Sequence, residues 1–402
     1  MKYVVVLCDG MADHPQESLG GKTPLEVANT PNMDFLAQNG EVGTAKTIPD
    51  GMPTGSDTAN LSVFGYYPRD CYSGRSPLEA VSMGIALDDD DVTFRCNLVT
   101  VSDTGDYEDE SMIDYSSGEI TTEEARELVL YLNQAFHTEK QNLYPGISYR
   151  HCFVLKDAVT GTICTPPHDI TGKPIKEFLP KGKYGDQLLA LMKKSRELLR
   201  NHPINQARIA RGLNPANSCW FWGEGTKPRL QSFESLYGIK GAVISAVDLI
   251  KGIGICAGLK SVDVPGATGN YDTNFAGKGQ EAIHLLKTGY DFVYIHMEAP
   301  DECGHHGDAK HKIESIEAID REVVGPLLKA FEGEPLSVLL MPDHPTPLEI
   351  MTHTGEAVPF ILYRNTKKES PNATVYTEKS AAQTGVYFPK ACELMKLLLA
   401  EK

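Results

Sequence analysis

An unbroken apolar run, Tyr3-Val4-Val5-Val6-Leu7-Cys8, opens the chain and stops abruptly at Asp9-Gly10. Rich in β-branched residues and lacking polar alternation, it predicts a strand buried on both faces. Ser218 to Trp222, Gly241 to Ala246, Phe292 to Met297, Leu336 to Met341 and Val358 to Tyr363 are further short apolar runs of the same kind. Helical patterns lie between them. Helix starts read at Thr23-Pro24-Leu25-Glu26, Asn29 to Leu36, Ser56 to Leu61 and Ser76 to Val81, and an amphipathic stretch runs from Ile313 to Phe331. Strands alternating with helices predict an α/β fold, a mostly parallel sheet with helices on both faces.

The pattern changes near Asp88-Asp89-Asp90-Asp91. From there to about Asn214, short strands (Val92 to Val101, Tyr149 to Leu155) mix with amphipathic helices (Thr122 to Ala135, Tyr184 to Asn201) and a loop at Pro166 to Pro174. This predicts a smaller α+β domain, residues 89–214, inserted into a domain made of 1–88 and 215–402. The acidic run reads as a solvated boundary.

The length of 402 residues suits two domains, and a net charge of −16 argues against a nucleic-acid partner while leaving room for a local basic pocket. Nine cysteines without a Cys-x-x-Cys pair suit a reducing, cytoplasmic compartment, and no apolar stretch reaches membrane length. Oligomeric state stays open.

Three predicted strands end in acidic residues, two of them with histidine: Asp9 after the first, Asp301 and His305 after Phe292 to Met297, Asp343 and His344 after Leu336 to Met341. His353 precedes the run from Val358. The carboxyl edge of a parallel sheet is where ligands bind. Oxygen and imidazole donors gathered there suit Mn²⁺, Zn²⁺ or Mg²⁺, and the i,i+4 spacing of Asp301 and His305 puts both on one face of a helical turn. Two ions roughly 4 Å apart would clamp the attacking and leaving oxygens of a phosphoryl transfer. Ser56, at a Gly-containing turn opening a helix, reads either as an N-cap or as a nucleophile activated by a metal. Leu19-Gly20-Gly21-Lys22-Thr23 lacks the first glycine of a nucleotide-phosphate loop, because Gln16 stands there.

Taken together, Cys8-Asp9-Gly10-Met11, Thr54-Gly55-Ser56-Asp57-Thr58-Ala59-Asn60, Pro300-Asp301 with Gly304-His305, Pro342-Asp343-His344 and His353-Thr354 with Val358-Pro359-Phe360 resemble the 2,3-bisphosphoglycerate-independent phosphoglycerate mutases, archaeal-type branch, of the alkaline phosphatase superfamily. The resemblance spans essentially the whole chain. It implies an alkaline-phosphatase-like sheet and an inserted domain acting as a substrate-binding lid. It also implies interconversion of 3- and 2-phosphoglycerate through a phosphoserine at Ser56. Asp9, Ser56, Asp343 and His344 would hold one divalent ion, and Asp301, His305 and His353 the other, with Mn²⁺ first choice and Zn²⁺, Mg²⁺ or Co²⁺ as alternatives. Lys251 and Arg95 would act on the phosphoryl group, and Arg150, His168 and Lys173 would join them in binding a small phosphorylated carboxylate. Asp114 to Glu119 and Trp222 depart from the family pattern, which favours arginines there. A homoserine-kinase-like phosphotransferase or a metal-dependent phosphatase using the same phosphoserine, and a non-enzymatic metal-bound module, are the alternatives.

Overall fold

Every residue from Tyr3 to Cys8 is buried in the computed structural model, which describes residues 1–367 and 371–400. The strand they form, Lys2–Cys8, lies inside an eight-stranded sheet. Its order is Lys260–Val262, Gly241–Ile244, Phe292–Met297, Lys2–Cys8, Leu336–Met341, Val358–Arg364, Glu41–Ala45 and Tyr387–Phe388. The first five strands run parallel, Val358–Arg364 is antiparallel to both neighbours, and Tyr387–Phe388 pairs parallel with Glu41–Ala45. The expected mostly parallel sheet is therefore present. Short flanking strands such as Glu41–Ala45 and Lys260–Val262 carry no long apolar run and were not anticipated.

Both faces of the sheet are covered, which is why its central strands show no polar alternation. Val4, Val6 and Cys8 share one core with Val293, Ile295, Val338 and Leu340, and with Leu36 and Leu285 from the helices Pro31–Asn39 and Phe275–Lys287. On the opposite face Phe64, just beyond the Ser56–Val63 helix, stacks on Tyr294 with ring centroids 3.9 Å apart. By the two-residue alternation of a strand, His296 shares that face with Tyr294. The helix carrying Ser56 is thus docked on the side where these two residues emerge.

The stretch expected as one helix from Ile313 to Phe331 is instead Ala309–Ile319 and Gly325–Ala330, joined by a π-helical turn at Asp320–Val324. The buried Asp320 carboxylate accepts hydrogen bonds from the backbone N–H groups of Asn32 (3.3 Å) and Met33 (2.7 Å). It thereby satisfies the exposed donors of another helix's first turn.

The chain divides into two compact units, Met1–Tyr72 with Arg229–Lys402, and Ser73–Pro228. The second is built on the fully buried strand Val92–Val101, which pairs antiparallel with Arg150–Leu155 and with Ser218–Thr226. Helices Thr122–Phe136 and Gly185–Leu199 complete its core through Leu128, Leu132, Phe136, Leu188 and Met192. Ser218 to Trp222 therefore belongs to this sheet and not to the main one, a correction of the sequence reading. An apolar run shows that a strand is buried without showing what it pairs with. The unit also starts before the acidic run, because the helix Ser76–Ser82 joins it, with Ser76 Oγ 2.8 Å from Thr93 Oγ1. The expected boundaries at 88/89 and 214/215 both fall inside this unit.

Candidate active site

Ser56 is the first residue of its helix, and Gly55 occupies the capping position without a side-chain bond. The N-cap reading is thus replaced by another contact: Ser56 Oγ lies 3.1 Å from His344 Nε2. The same nitrogen is 3.5 Å from Asp9 Oδ1 and 3.3 Å from Asp343 Oδ2. Oxygens from the end of the first strand, the Ser56 helix and the end of Leu336–Met341 converge there. A second convergence lies alongside. His305 Nε2 is 3.3 Å from Asp301 Oδ2, His353 Nε2 is 3.4 Å from Asp301 Oδ1, and the two ring nitrogens are 2.9 Å apart. Asp301 and His305 come from one short helix, Ala299–His305, as their i,i+4 spacing requires. Asp9, Asp301 and His344 also place ligand atoms within 4.8 Å of one another, so the two groups adjoin.

Residues outside the sequence reading hold these side chains. His296 Nε2 contacts Asp9 Oδ2 at 2.8 Å, and Ser245 Oγ lies 3.2 Å from its Nδ1. Thr346 Oγ1 donates to Asp301 Oδ1 and is 3.2 Å from His344 Nδ1. Lys312, with its side chain fully buried, donates to Asp13 Oδ2 at 2.7 Å and to the Thr346 carbonyl at 2.8 Å. A histidine inside the apolar run Phe292 to Met297 was a readable signal. Lys312 offered none, since its carboxylate partner Asp13 is distant in sequence. Gly10 sits at φ +60°, and a Cβ there would lie 2.5 Å from Asp301 Oδ1 and 2.6 Å from both Asp301 Cα and Thr346 Oγ1.

The electrostatics call for a cation. Burial, then the nearby charges of Asp343 and Asp301, pushes Asp9 well above the usual carboxylate range. Burial also acts to raise Asp301, but the His305 and His353 contacts outweigh it and hold Asp301 well below its ordinary value. The hydrogen bond to Asp301 pushes His305 up to about 9. His344, by contrast, is lowered, chiefly by burial, and so favours the neutral, ligating form. Asp9 Oδ1 is buried with no hydrogen-bond partner, an arrangement that costs free energy unless something positive meets it. Three buried carboxylates, three imidazoles and a serine hydroxyl form a donor set suited to divalent ions.

The expected substrate contacts fall in both units. Lys251 lies on the helix Asp248–Cys256 with Nζ 2.6 Å from Asp263 Oδ1. In the second unit, Arg95 is buried, with Nε 2.8 Å from Glu79 Oε2 and its guanidinium 4.1 Å from the Trp222 ring. Arg150 is exposed over Tyr149, and the exposed His168 meets Trp222 edge-on. Lys173 is exposed and donates to the Asp169 carbonyl.

Fold and site together define an α/β protein with candidate metal ligands at the carboxyl edge of its mostly parallel sheet. A family model described as 2,3-bisphosphoglycerate-independent phosphoglycerate mutase matches residues 37–205. A protein of that name from Methanosarcina barkeri is 51% identical over 405 residues, covering 100% of both chains. One named as a probable enzyme of this kind from Geobacter sulfurreducens is 48% identical, covering 99% of this chain and 100% of its own. Among solved structures, a Pyrococcus horikoshii protein superposes with a TM-score of 0.84 at 31% identity, covering 100% of this chain and 98% of its own. The cofactor-independent phosphoglycerate mutase of Thermoplasma acidophilum shares the fold, with a TM-score of 0.67 at 23% identity over 100% of this chain and 99% of its own. The chain belongs to the 2,3-bisphosphoglycerate-independent phosphoglycerate mutase family.

Proposed function

We propose that this protein interconverts 3-phosphoglycerate and 2-phosphoglycerate, with Ser56 carrying the phosphoryl group between the two hydroxyls. The observation that carries the reading is the convergence of Ser56 Oγ, Asp9 and Asp343 on His344 Nε2, beside a second convergence on Asp301. Asp9, Ser56, Asp343 and His344 would hold one divalent ion, and Asp301, His305 and His353 a second. Such ions, Mn²⁺ being the first choice, supply charge that favours a serine alkoxide and neutralises phosphoryl oxygens.

The remaining chemistry is assigned to the chain itself. Ser56 Oγ attacks phosphorus in line with the oxygen on C3, that P–O bond breaks, and glycerate leaves as the bound alcohol. The glycerate turns, its 2-hydroxyl attacks the phosphoserine, and Ser56 Oγ is released. The first turn of the helix presents backbone N–H groups and the positive end of its dipole to the phosphoryl group. Lys251 approaches the transferred group, and Arg95, Arg150, His168 and Lys173 of the second unit hold carboxylate and phosphate. Exclusion of water from the phosphoserine is what separates this activity from a phosphatase. Nine cysteines, all free, support a reducing cytoplasmic setting.

The test is to load the purified protein with Mn²⁺, supply 3-phosphoglycerate, and follow 2-phosphoglycerate through enolase. Turnover is expected, and Ser56→Ala should abolish it. A fully metal-loaded protein without mutase activity would overturn the reading, and an active Ser56→Ala variant would show that the nucleophile lies elsewhere.

A further inference from the structure

Asn60, one helical turn beyond Ser56, is fully buried, and its side chain meets three partners from three separate places. Nδ2 donates to the Ser56 carbonyl at 2.9 Å and to Asp343 Oδ2 at 2.8 Å, while Oδ1 accepts from the Tyr294 hydroxyl at 2.6 Å. The orientation of the amide follows from the partners' chemistry. A carbonyl and a carboxylate only accept, so the group facing both must be the NH₂, and both of its hydrogens are then used. Tyr294 is itself immobilised, fully buried in the Phe292–Met297 strand and stacked on Phe64. Ser56, Asn60 and Phe64 follow one another at i,i+4 intervals and so share a face of the helix. Asp343 is fixed from its other side as well, since Oδ1 accepts from the Gly10 N–H at 3.2 Å and the His344 N–H at 2.9 Å.

We infer that Asn60 is a positioning residue for the reaction: its carboxamide ties the first turn of the nucleophile's helix to the Asp343 carboxylate, and Tyr294 sets which way that carboxamide faces. The inference rests on the proposed roles of Ser56 as nucleophile and Asp343 as metal ligand. Both amide hydrogens and the amide oxygen of Asn60 are taken up by protein groups, so its role is to position other residues. It fixes the rotation of the helix that aims Ser56 Oγ and the carboxylate plane that Asp343 presents. Nucleophile and ligand then cannot drift independently, and a displacement of about 1 Å at a reacting group can cost on the order of a hundredfold in rate.

Two variants test this in the full chain. Asn60→Asp keeps the side chain's shape but turns an oxygen toward Asp343, and Tyr294→Phe removes one hydroxyl and leaves the ring stack. Mn²⁺ binding to the chelator-stripped protein would be measured by electron paramagnetic resonance, together with kcat, KM and the melting temperature of the metal-free form. In Asn60→Asp, one of two Mn²⁺ ions should bind about ten- to a hundredfold more weakly and the other as in wild type, with kcat reduced and KM little changed. Tyr294→Phe should shift the same ion and kcat in the same direction by less, and it carries the test alone should Asn60→Asp not fold. Ser62→Ala on the same helix, which loses a bond to the Thr47 carbonyl, should lower only the melting temperature.

Wild-type affinity for both ions in Asn60→Asp and Tyr294→Phe would overturn the inference and leave the proposed function standing. Equal weakening of both ions in step with melting temperature would overturn it too, since that is what a merely structural residue would do. A wild-type protein that binds no divalent ion would instead overturn the proposed function and this inference with it.

Discussion

Glu378 shows how one side chain couples this fold to pH. Its carboxylate accepts from the Asp13 N–H at 3.1 Å and the Thr23 hydroxyl at 2.8 Å, yet burial still pushes it up to about 7. An unfolded glutamate titrates near about 4.3. Between these values the folded chain holds a proton that the unfolded chain has lost, so this group's contribution to stability falls as pH rises through that window. Glu378→Gln should flatten that slope, measured as the difference between urea midpoints at pH 5 and pH 7.5 in variant and wild type. An unchanged slope would mean that other groups set it. Asp9, Asp301, Asp343 and the three histidines near them stood out in the sequence because polar residues interrupting the ends of apolar runs are conspicuous. Glu378 and Asn60 did not, because hydrogen-bond partners hundreds of residues away leave no local pattern.

At the scale of elements, the turn that ends the first strand is the most constrained piece of the site. Gly10 combines a left-handed backbone with an approach that leaves no room for a methyl group against the Asp301 backbone. Gly10→Ala should therefore destabilise the protein by about 2 kcal/mol or more and weaken divalent-ion binding, read by thermal melts with and without Mn²⁺. A variant with wild-type melting would show that the Ala299–His305 helix can retreat at little cost. The central strands were legible because burial on both faces removes polar alternation, and the Ala299–His305 turn because its candidate ligands Asp301 and His305 sit four apart. The π turn at Asp320–Val324 was not, since the apolar periodicity runs through it unbroken and its cause is a carboxylate capping a different helix. The run Ser218 to Trp222 reads as a strand but of the wrong sheet, for the reason that pairing is a property of two segments and pattern a property of one.

At the scale of the molecule, each unit has its own core. The residues that share a core with Val92, Phe94, Cys96 and Leu98 lie within 73–228, and those that share one with Val4, Val6 and Cys8 lie outside that range. Residues 73–228 expressed alone should fold and melt cooperatively, seen by calorimetry and dispersed amide resonances, whereas a molten fragment would show that its stability depends on the rest of the chain. The placement of the first strand has a consequence for biosynthesis. Lys2–Cys8 is made well before its two sheet neighbours, Phe292–Met297 and Leu336–Met341. At about 5–20 residues per second, translation keeps it waiting for the first of them for roughly 15–60 s. Throughout that interval the chargeless, valine-rich run Tyr3 to Cys8 is bare, the kind of sequence that chaperones grip and aggregates recruit. Residues 73–228 can fold during the wait, and the carboxyl edge that gathers Asp9, Asp301 and Asp343 can assemble only after Leu336–Met341 has been made.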